Sequence, residues 1–191
     1  KRTIAAVDRQ LLEEIQRHRK VAATGDDVLS MLLAARDEDG GALSDGQLVD
    51  EMKTLLVAGH ETTATALTWT VLELLQSPEI LRRLRAELDS GRDEYLDAVV
   101  KESLRLHPIV PMVGRRLQAE AVVGGRRYPK GTVLAPSVYL TQRNPEVWQK
   151  PEVFDPSRFL DWKSNPYEFL PFGGGDATSS SPRVSATAPS S

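Results

Sequence analysis

The feature that most constrains the fold is an uninterrupted helical pattern over residues 44–76, which ends before Ser77 and Pro78. At ~1.5 Å rise per residue this helix would be about 50 Å long, which is longer than the usual helix of a globular protein. Residues 55–67, at its centre, are almost all apolar or small. We therefore predict a helix that is buried on all sides rather than amphipathic. Ser44 and Gln47 at its start fit a capping box.

The other elements before Pro108 also have helical patterns. Apolar residues recur at helical spacing over residues 3–20 and, more briefly, over residues 28–35. Pro78 suits the first position of a helix that runs to about residue 88. A further helix over residues 93–106 must end there because Pro108 cannot continue it.

The residues after Pro108 predict a small β portion. Residues 117–123 and 126–128 flank Gly124-Gly125, as in a β-hairpin, and residues 132–135 suggest another strand. Residues 144–172 carry prolines and aromatics at irregular spacing, so we expect an ordered segment that is neither helix nor sheet. We predict one domain over residues 1–175, mainly α, and a low-complexity, disordered tail over residues 176–191.

Composition excludes several classes of function. The chain has 191 residues and a net charge of -3, so bulk charge gives no reason to expect a nucleic-acid partner. No apolar run reaches the ~18 residues of a membrane span. There is no cysteine, which excludes disulfides, thiolate zinc sites and a cysteine nucleophile. Because the chain opens on a helical pattern without methionine, we expect a fragment of a longer protein.

Residues 58–62, Ala-Gly-His-Glu-Thr, lie in the middle of the long helix although glycine and threonine are poor helix formers. Small residues permit close approach of a flat group or another backbone. A threonine hydroxyl can donate to the carbonyl four residues earlier, and a buried carboxylate beside a hydroxyl suits a proton relay. The simpler interpretation, which this motif alone favours, is a packing notch with Glu61 paired to a surface cation. A zinc-protease helix would need histidine in place of Ala64.

Three further motifs are weak when taken singly. Glu102 and Arg105 are spaced to pair on one helix face, which is a common coincidence. Arg158 lies in a proline- and aromatic-rich coil and could donate in a fork to carbonyls or a carboxylate. Residues 171–175, Pro-Phe-Gly-Gly-Gly, are not followed by the lysine and the serine or threonine of a phosphate-binding loop. The simpler interpretation is a flexible junction to the tail.

The order and spacing of the four motifs resemble the cytochrome P-450 family of haem-thiolate monooxygenases, over residues 3–175. The resemblance implies the C-terminal part of that fold, with a long central helix, a Glu-x-x-Arg helix, a β-hairpin and a meander coil. Thr62 would then hydrogen-bond oxygen held at the haem iron, and Glu61 would help deliver protons. Ala58 and Gly59 would leave room for dioxygen. His60 is not proposed as a ligand.

The resemblance also implies roles outside the long helix. Glu102, Arg105 and Arg158 would form a buried network that stabilises the proximal core. If they did not meet, an all-helical binding module containing these motifs by chance would be the better hypothesis. The remaining candidates are Ile109, Val110, Met112 and Val113 for the substrate pocket; Arg115 for a haem propionate, with Arg116 as the competing choice; and Phe172 and Gly175 for cofactor binding. Gln142 stands where the family often has histidine.

The resemblance fails where the haem ligand should be. By spacing, Ala177 stands at the position of the family's arginine and Ser179 at that of its cysteine. Serine cannot supply the electron push that a thiolate gives to O–O cleavage. We therefore expect no metal ligand in this chain, which would be truncated or frame-shifted before the cysteine, and we expect haem b only as the cofactor of the family.

The function implied by the resemblance is insertion of one oxygen atom from dioxygen into an apolar organic substrate. Electrons would come from a ferredoxin or a flavoprotein reductase. We expect a cytoplasmic protein, with a membrane anchor on a preceding segment as the alternative. The competing hypothesis is a non-catalytic remnant without independent activity, because the cysteine is absent.

Overall fold

The computed structural model describes residues 2–20, 25–162, 165 and 167–173. Within these residues the chain is mainly helical with a small β portion, as predicted. The helices are α1 (Arg2–Lys20), α2 (Val28–Ala34), α3 (Asp45–Gln76), α4 (Pro78–Asp89), α5 (Glu94–Leu106) and α6 (Val138–Thr141). The strands are β1 (Arg115–Arg116), β2 (Ala121–Val123), β3 (Arg126–Tyr128) and β4 (Val133–Leu134), and a 3₁₀ helix spans Pro156–Phe159.

Contacts divide the chain into two compact units, Lys1–Ala64 and Thr65–Ser191, with the boundary inside α3. The first unit is held together by apolar side chains of α1, α2 and the start of α3. Its buried residues are Ile15, Leu29, Leu48 and Val49. Full burial of each such side chain contributes roughly 2 kcal/mol, so this small core fixes the beginning of α3 and none of its middle.

The core of the second unit is centred on α5. Its buried members come from α4, α5, the 3₁₀ helix and the coil before it, and they are Leu84, Tyr95, Ala98, Val99, Leu106, Trp148, Phe154 and Phe159. Trp162 and Phe169 pack beside them, and the ring centroids of Phe159 and Phe169 are 5.0 Å apart. Because α5 presents its apolar face to this cluster, its intervening polar residues are carried into the interior.

Two antiparallel strand pairs make up the β portion. β1 pairs with β4, and β2 pairs with β3 in a register that places Val123 opposite Arg126. Gly124 and Gly125 have φ of 57° and 75°, as the two-residue hairpin turn requires, so the predicted hairpin is confirmed. Its first strand is shorter than the predicted 117–123, because Leu117 instead bonds through its backbone to Gly131 and Thr132.

Side-chain caps decide several element boundaries. The capping box of α3 is formed: the Ser44 N–H donates to Gln47 Oε1 at 3.0 Å, and Ser44 Oγ accepts from the Gln47 N–H at 3.4 Å. The sequence prediction missed α6 and the 3₁₀ helix. α6 starts at a cap in which Ser137 Oγ accepts from Leu140 N–H at 3.2 Å. Elements this short depend on one such bond rather than on a repeating apolar pattern.

The prediction that α3 is buried all round was wrong for this structure. Every residue over 54–65 is exposed, and Val57 and Leu67 are 76% and 62% exposed. An apolar composition shows only that a helix is suited to burial; actual burial also needs other elements to pack over it. Among the described helices, none combines the length and apolarity needed to cross a bilayer.

Candidate functional site

Glu102 is the centre of a buried polar network in the second unit. It lies on α5, is wholly inaccessible to solvent, and accepts four N–H groups through its two carboxylate oxygens. Arg105, one turn later, donates from Nε at 2.6 Å and from Nη2 at 2.9 Å. Arg158 donates from Nε at 3.0 Å, and the backbone N–H of Asp155 donates at 2.9 Å. Glu102 is therefore fully satisfied although it is fully buried.

The two arginines extend this network to backbone carbonyls of the coil. Arg105, also 0% exposed, donates to the Gln142 carbonyl at 2.8 Å, and its guanidinium lies 5.3 Å from the Trp148 ring centroid. Arg158 donates to the Gln149 carbonyl at 3.1 Å. Forked donors suit this geometry, since one guanidinium can hold a carboxylate and a carbonyl together. Every acceptor is a carboxylate or carbonyl of the chain itself, so the network is suited to holding structure rather than binding a ligand.

The contributions of Gln142 and Arg143 to this region were not predicted from the sequence. Both donate from their side chains to carbonyl oxygens at the C-terminal end of α5, 37 or 38 residues earlier in the chain. A signal for them was present. No glycine follows α5 to form the usual C-terminal cap and Pro108 has no N–H, so other donors had to satisfy those carbonyls.

A second missed cluster joins α3 to α5 within the second unit. The rings of Trp69 and His107 stack with centroids 4.1 Å apart and planes 3° apart. His107 Nε2 lies 2.7 Å from Glu73 Oε1, and Thr70 Oγ1 donates to Ser103 Oγ at 2.8 Å. Together these contacts fix the C-terminal half of α3 on the last turn of α5.

The motif of residues 58–62 belongs to the first unit. Thr62 Oγ1 donates to the Ala58 carbonyl at 2.5 Å, which is the backbone bond expected from the sequence. Glu61 is exposed. Apart from the flanking residues and the backbone of α3 itself, no described heavy atom lies within 4 Å of the place where a Cβ on Gly59 would stand. The motif thus presents a hydroxyl, a carboxylate and a bare backbone on one open stretch of helix.

The segment proposed for the substrate pocket follows α5. The backbone N–H of Val113 donates to Pro136 at 3.3 Å, and Met112 forms an isolated bridge with Ser137. Val110 and Met112 are 48% and 57% exposed, so both present apolar side chains to solvent. Ile109 is half-buried.

The two candidate arginines differ in their hydrogen-bond partners. The Arg116 side chain donates to the Gly131 carbonyl at 3.3 Å, which ties it to the loop before β4, whereas the Arg115 side chain donates to the adjacent Gly114 carbonyl. Each side chain thus uses one Nη1 donor in these bonds, so the count of bonds favours neither arginine. Phe172 is 91% exposed. Gly175, the cysteine-position residue Ser179, Ala177 and the predicted tail lie outside the described residues.

A family model described as Cytochrome P450 matches residues 1–177 of the chain. The chain belongs to the cytochrome P450 family. It is 45% identical over 149 residues to cytochrome P450 135A1 of Mycobacterium tuberculosis, covering 78% of this chain and 33% of that protein. It is 40% identical to cytochrome P450 4A7 of Oryctolagus cuniculus, covering 86% of this chain and 34% of that protein.

Solved cytochrome P450 structures share the fold. A cyanobacterial CYP120A1 with bound retinoic acid superposes with a TM-score of 0.77 and 34% identity, over 90% of this chain and 43% of that chain. A P450EX alpha with myristic acid gives a TM-score of 0.70 and 26% identity, over 92% of this chain and 42% of that one. The chain spans about a third of the length of its curated relatives.

Haem is the cofactor of cytochromes P450, and its iron is bound by a cysteine thiolate. The chain contains no cysteine. Within the part of the chain that the structure describes, no group of three or more histidine, cysteine, aspartate or glutamate side chains could hold a metal ion. The residues present therefore do not fit a haem-thiolate centre.

Proposed function

We propose that these residues, within a complete cytochrome P450 domain, serve a haem-dependent monooxygenase that inserts one oxygen atom from dioxygen into an apolar organic substrate. The observation that carries this proposal is the Glu102–Arg105–Arg158 network, found fully satisfied and buried in a member of this family. Such a network is costly unless it is complete, so it argues for a working core rather than a chance set of motifs.

In this proposal Glu61 and Thr62 handle protons. The Thr62 hydroxyl donates its hydrogen bond to the Ala58 carbonyl. The hydroxyl oxygen therefore remains available to accept a hydrogen bond from another group. The Glu61 carboxyl, next in the chain, can hold and release a proton. Gly59 and Ala58 leave space beside them for a small molecule such as dioxygen.

The substrate class and partners are also part of the proposal. Two solved relatives bind retinoic acid and myristic acid, both of which have long apolar portions. The apolar segment of Ile109, Val110, Met112 and Val113 suits a substrate of that kind, and Arg115 suits an anionic propionate. Electrons would come from a ferredoxin or a flavoprotein reductase, and the location would be cytoplasmic.

The test is a chimera with cytochrome P450 135A1 of Mycobacterium tuberculosis, in which the 149-residue match, cut at Gly173, replaces the corresponding segment of that protein; the relative supplies the rest of the domain and its cysteine. We expect the reduced chimera to give a thiolate-type Soret band with carbon monoxide. A folded chimera that binds no haem would contradict the proposal.

The role of Thr62 has a matched control within α3. Thr54 makes the same bond, from Oγ1 to the carbonyl four residues earlier, at 2.8 Å. In the active chimera, we expect Thr62→Ala to divert electrons from product into reduced oxygen species while Thr54→Ala does not. Equal coupling of electron use to product in the two variants would remove Thr62 from the mechanism.

The absence of cysteine supports a second candidate for the 191-residue chain by itself, a non-catalytic remnant. The purified chain, mixed with haem, dithionite and carbon monoxide, should give no thiolate-type band. A thiolate-type band would overturn this candidate.

A further inference from the structure

Gln142 lies where three parts of the second unit meet. It follows α6, its side chain is wholly buried, and all the polar atoms of that side chain are used. Nε2 donates to the carbonyls of Leu104 and Arg105, both at 3.0 Å. Oε1 accepts the backbone N–H of Leu170 at 2.8 Å. One amide therefore bridges the last turn of α5 and the segment that leads to Phe172.

The carbonyls that Gln142 satisfies are those that a helix cannot pair internally. The last four carbonyls of a helix lack N–H partners. At the end of α5, the Ser103 carbonyl accepts from the His107 N–H at 2.7 Å, and the next two accept from Gln142. The Leu106 carbonyl accepts from Arg143 Nη2 at 2.6 Å, where a cation also complements the helix dipole. Gln142 is thus held firmly on α5.

The segment after residue 167 has two anchors. The Phe169 ring packs on Phe159 and Trp162, and the Leu170 N–H is bound by Gln142. Beyond Leu170, the Gly173 N–H donates back to the Leu170 carbonyl at 3.0 Å, and Phe172 is exposed. Leu170 is therefore the last backbone position, among those described, that is tied to α5.

We propose that Gln142 is a positioning residue, which fixes the backbone at Leu170 on the C-terminal end of α5 and so sets where Pro171–Gly173 leave the core. The consequence for a cytochrome P450 rests on the proposed function: this segment would carry the loop that holds the thiolate. The positioning itself involves no haem, so it is tested in the chain without cofactor and can fail independently of the monooxygenase proposal.

Histidine at position 142 gives the sharpest test, because its hydrogen bonding changes with pH. A neutral imidazole has one donor and one acceptor, whereas a protonated one has two donors and no acceptor. In Gln142→His, the Leu170 N–H should keep a partner near pH 8 and lose it as the ring is protonated toward about pH 5. The imidazole pKa should lie below its ordinary value of about 6.5, because the site is buried and the Arg105 guanidinium lies beside it. Loss of this buried hydrogen bond should decrease the protection of the Leu170 amide against hydrogen exchange by about tenfold.

The measurement is amide hydrogen exchange by NMR on the full chain, corrected for intrinsic exchange at each pH and normalised to Val99, which is wholly buried in α5. We expect the Leu170 amide to be protected in the unsubstituted chain at both pH values. In Gln142→Leu its protection should fall by about tenfold relative to that of Val99. Gln149→His, at an exposed position, should leave Leu170 protection unchanged with pH.

Three results would overturn the proposal. One is an unprotected Leu170 amide in the unsubstituted chain, which needs no variant. Another is a Leu170 protection in Gln142→His that stays constant while the imidazole itself titrates, as followed by its ring-proton chemical shifts. The third is a loss in Gln142→Leu that is equal at Leu170 and Val99, since that would reflect global destabilisation rather than positioning.

Discussion

Replacing Glu102 by glutamine tests whether the buried network stabilises the second unit. The substitution preserves shape but removes the negative charge between the guanidinium groups of Arg105 and Arg158. It also replaces one carboxylate oxygen by an NH₂ group, which must face N–H donors. Four N–H groups are now bound at 2.6 to 3.0 Å. If the NH₂ takes the place of Oε2, the Arg105 Nε–H loses its acceptor, and if it takes the place of Oε1, the other three do; Arg105 remains fully buried in either case.

The size of the effect follows from these losses. Each buried donor left unsatisfied costs roughly 1–3 kcal/mol, and more if charged, while removing one partner of a buried ion pair typically costs about 3–5 kcal/mol. We therefore expect Glu102→Gln to lower the free energy of unfolding by about 4 kcal/mol. With an m-value of about 2 kcal/mol/M, the urea midpoint should fall by about 2 M.

Urea unfolding followed by tryptophan fluorescence measures this directly, since the Trp148 ring lies 5.3 Å from the Arg105 guanidinium. The matched control is Glu79→Gln on α4. Glu79 pairs with Arg82 at the same i,i+3 spacing, but the two side chains are 80% and 68% exposed. We expect the control to leave the midpoint unchanged. If Glu102→Gln shifted it no more than Glu79→Gln, the stabilising role of the network would be refuted.

Two further substitutions test single features of the second unit. Gly125→Ala should destabilise the β2–β3 hairpin by about 1 kcal/mol because Gly125 has φ of 75°, whereas Gly124→Asn should be tolerated; loss of amide protection at Val123 measures both. Burial raises the pKa of the Tyr95 phenol, so folded protein holds that proton more tightly and stability should fall as pH rises above about 10. In urea unfolding at a series of pH values, Tyr95→Phe should reduce the fall in the free energy of unfolding above about pH 10. Tyr167 is 77% exposed, so Tyr167→Phe should not reduce it; an equal pH dependence in the two variants would contradict the role of Tyr95.

The first five helices, α1 to α5, were predictable because each carries a repeating apolar pattern. Ser44 and Pro78 mark the starts of α3 and α4, and Pro108 limits α5. The hairpin followed from its glycine pair. β1 was missed because its pairing partner, β4, is distant in sequence. α6 was missed because it depends on a single cap at Ser137. No local pattern distinguishes Arg115, which pairs across β1 and β4, from the residues around it.

The site was predictable only in part, and the reason is again the range of the interactions. The spacing of Glu102 and Arg105 predicts their pairing because a helix places them on one face. Their meeting with Arg158, 56 residues from Glu102, came from the family resemblance and not from the pattern. Gln142 was passed over because its role depends on two carbonyls and one N–H that belong to other segments, and a single glutamine gives no sign of them.

The two groups of family residues in this chain therefore differ in what they need. The Glu102 network is complete within the second unit: its charges are paired, its donors have acceptors, and no cofactor atom is required to satisfy it. The motif around Thr62 lies on a stretch of α3 that is exposed throughout, and the chemistry proposed for it requires a thiolate, which this cysteine-free chain does not contain. The buried network and the proposed proton-handling motif are thus separate sets of residues, so substitutions in the first should change stability in the absence of any cofactor.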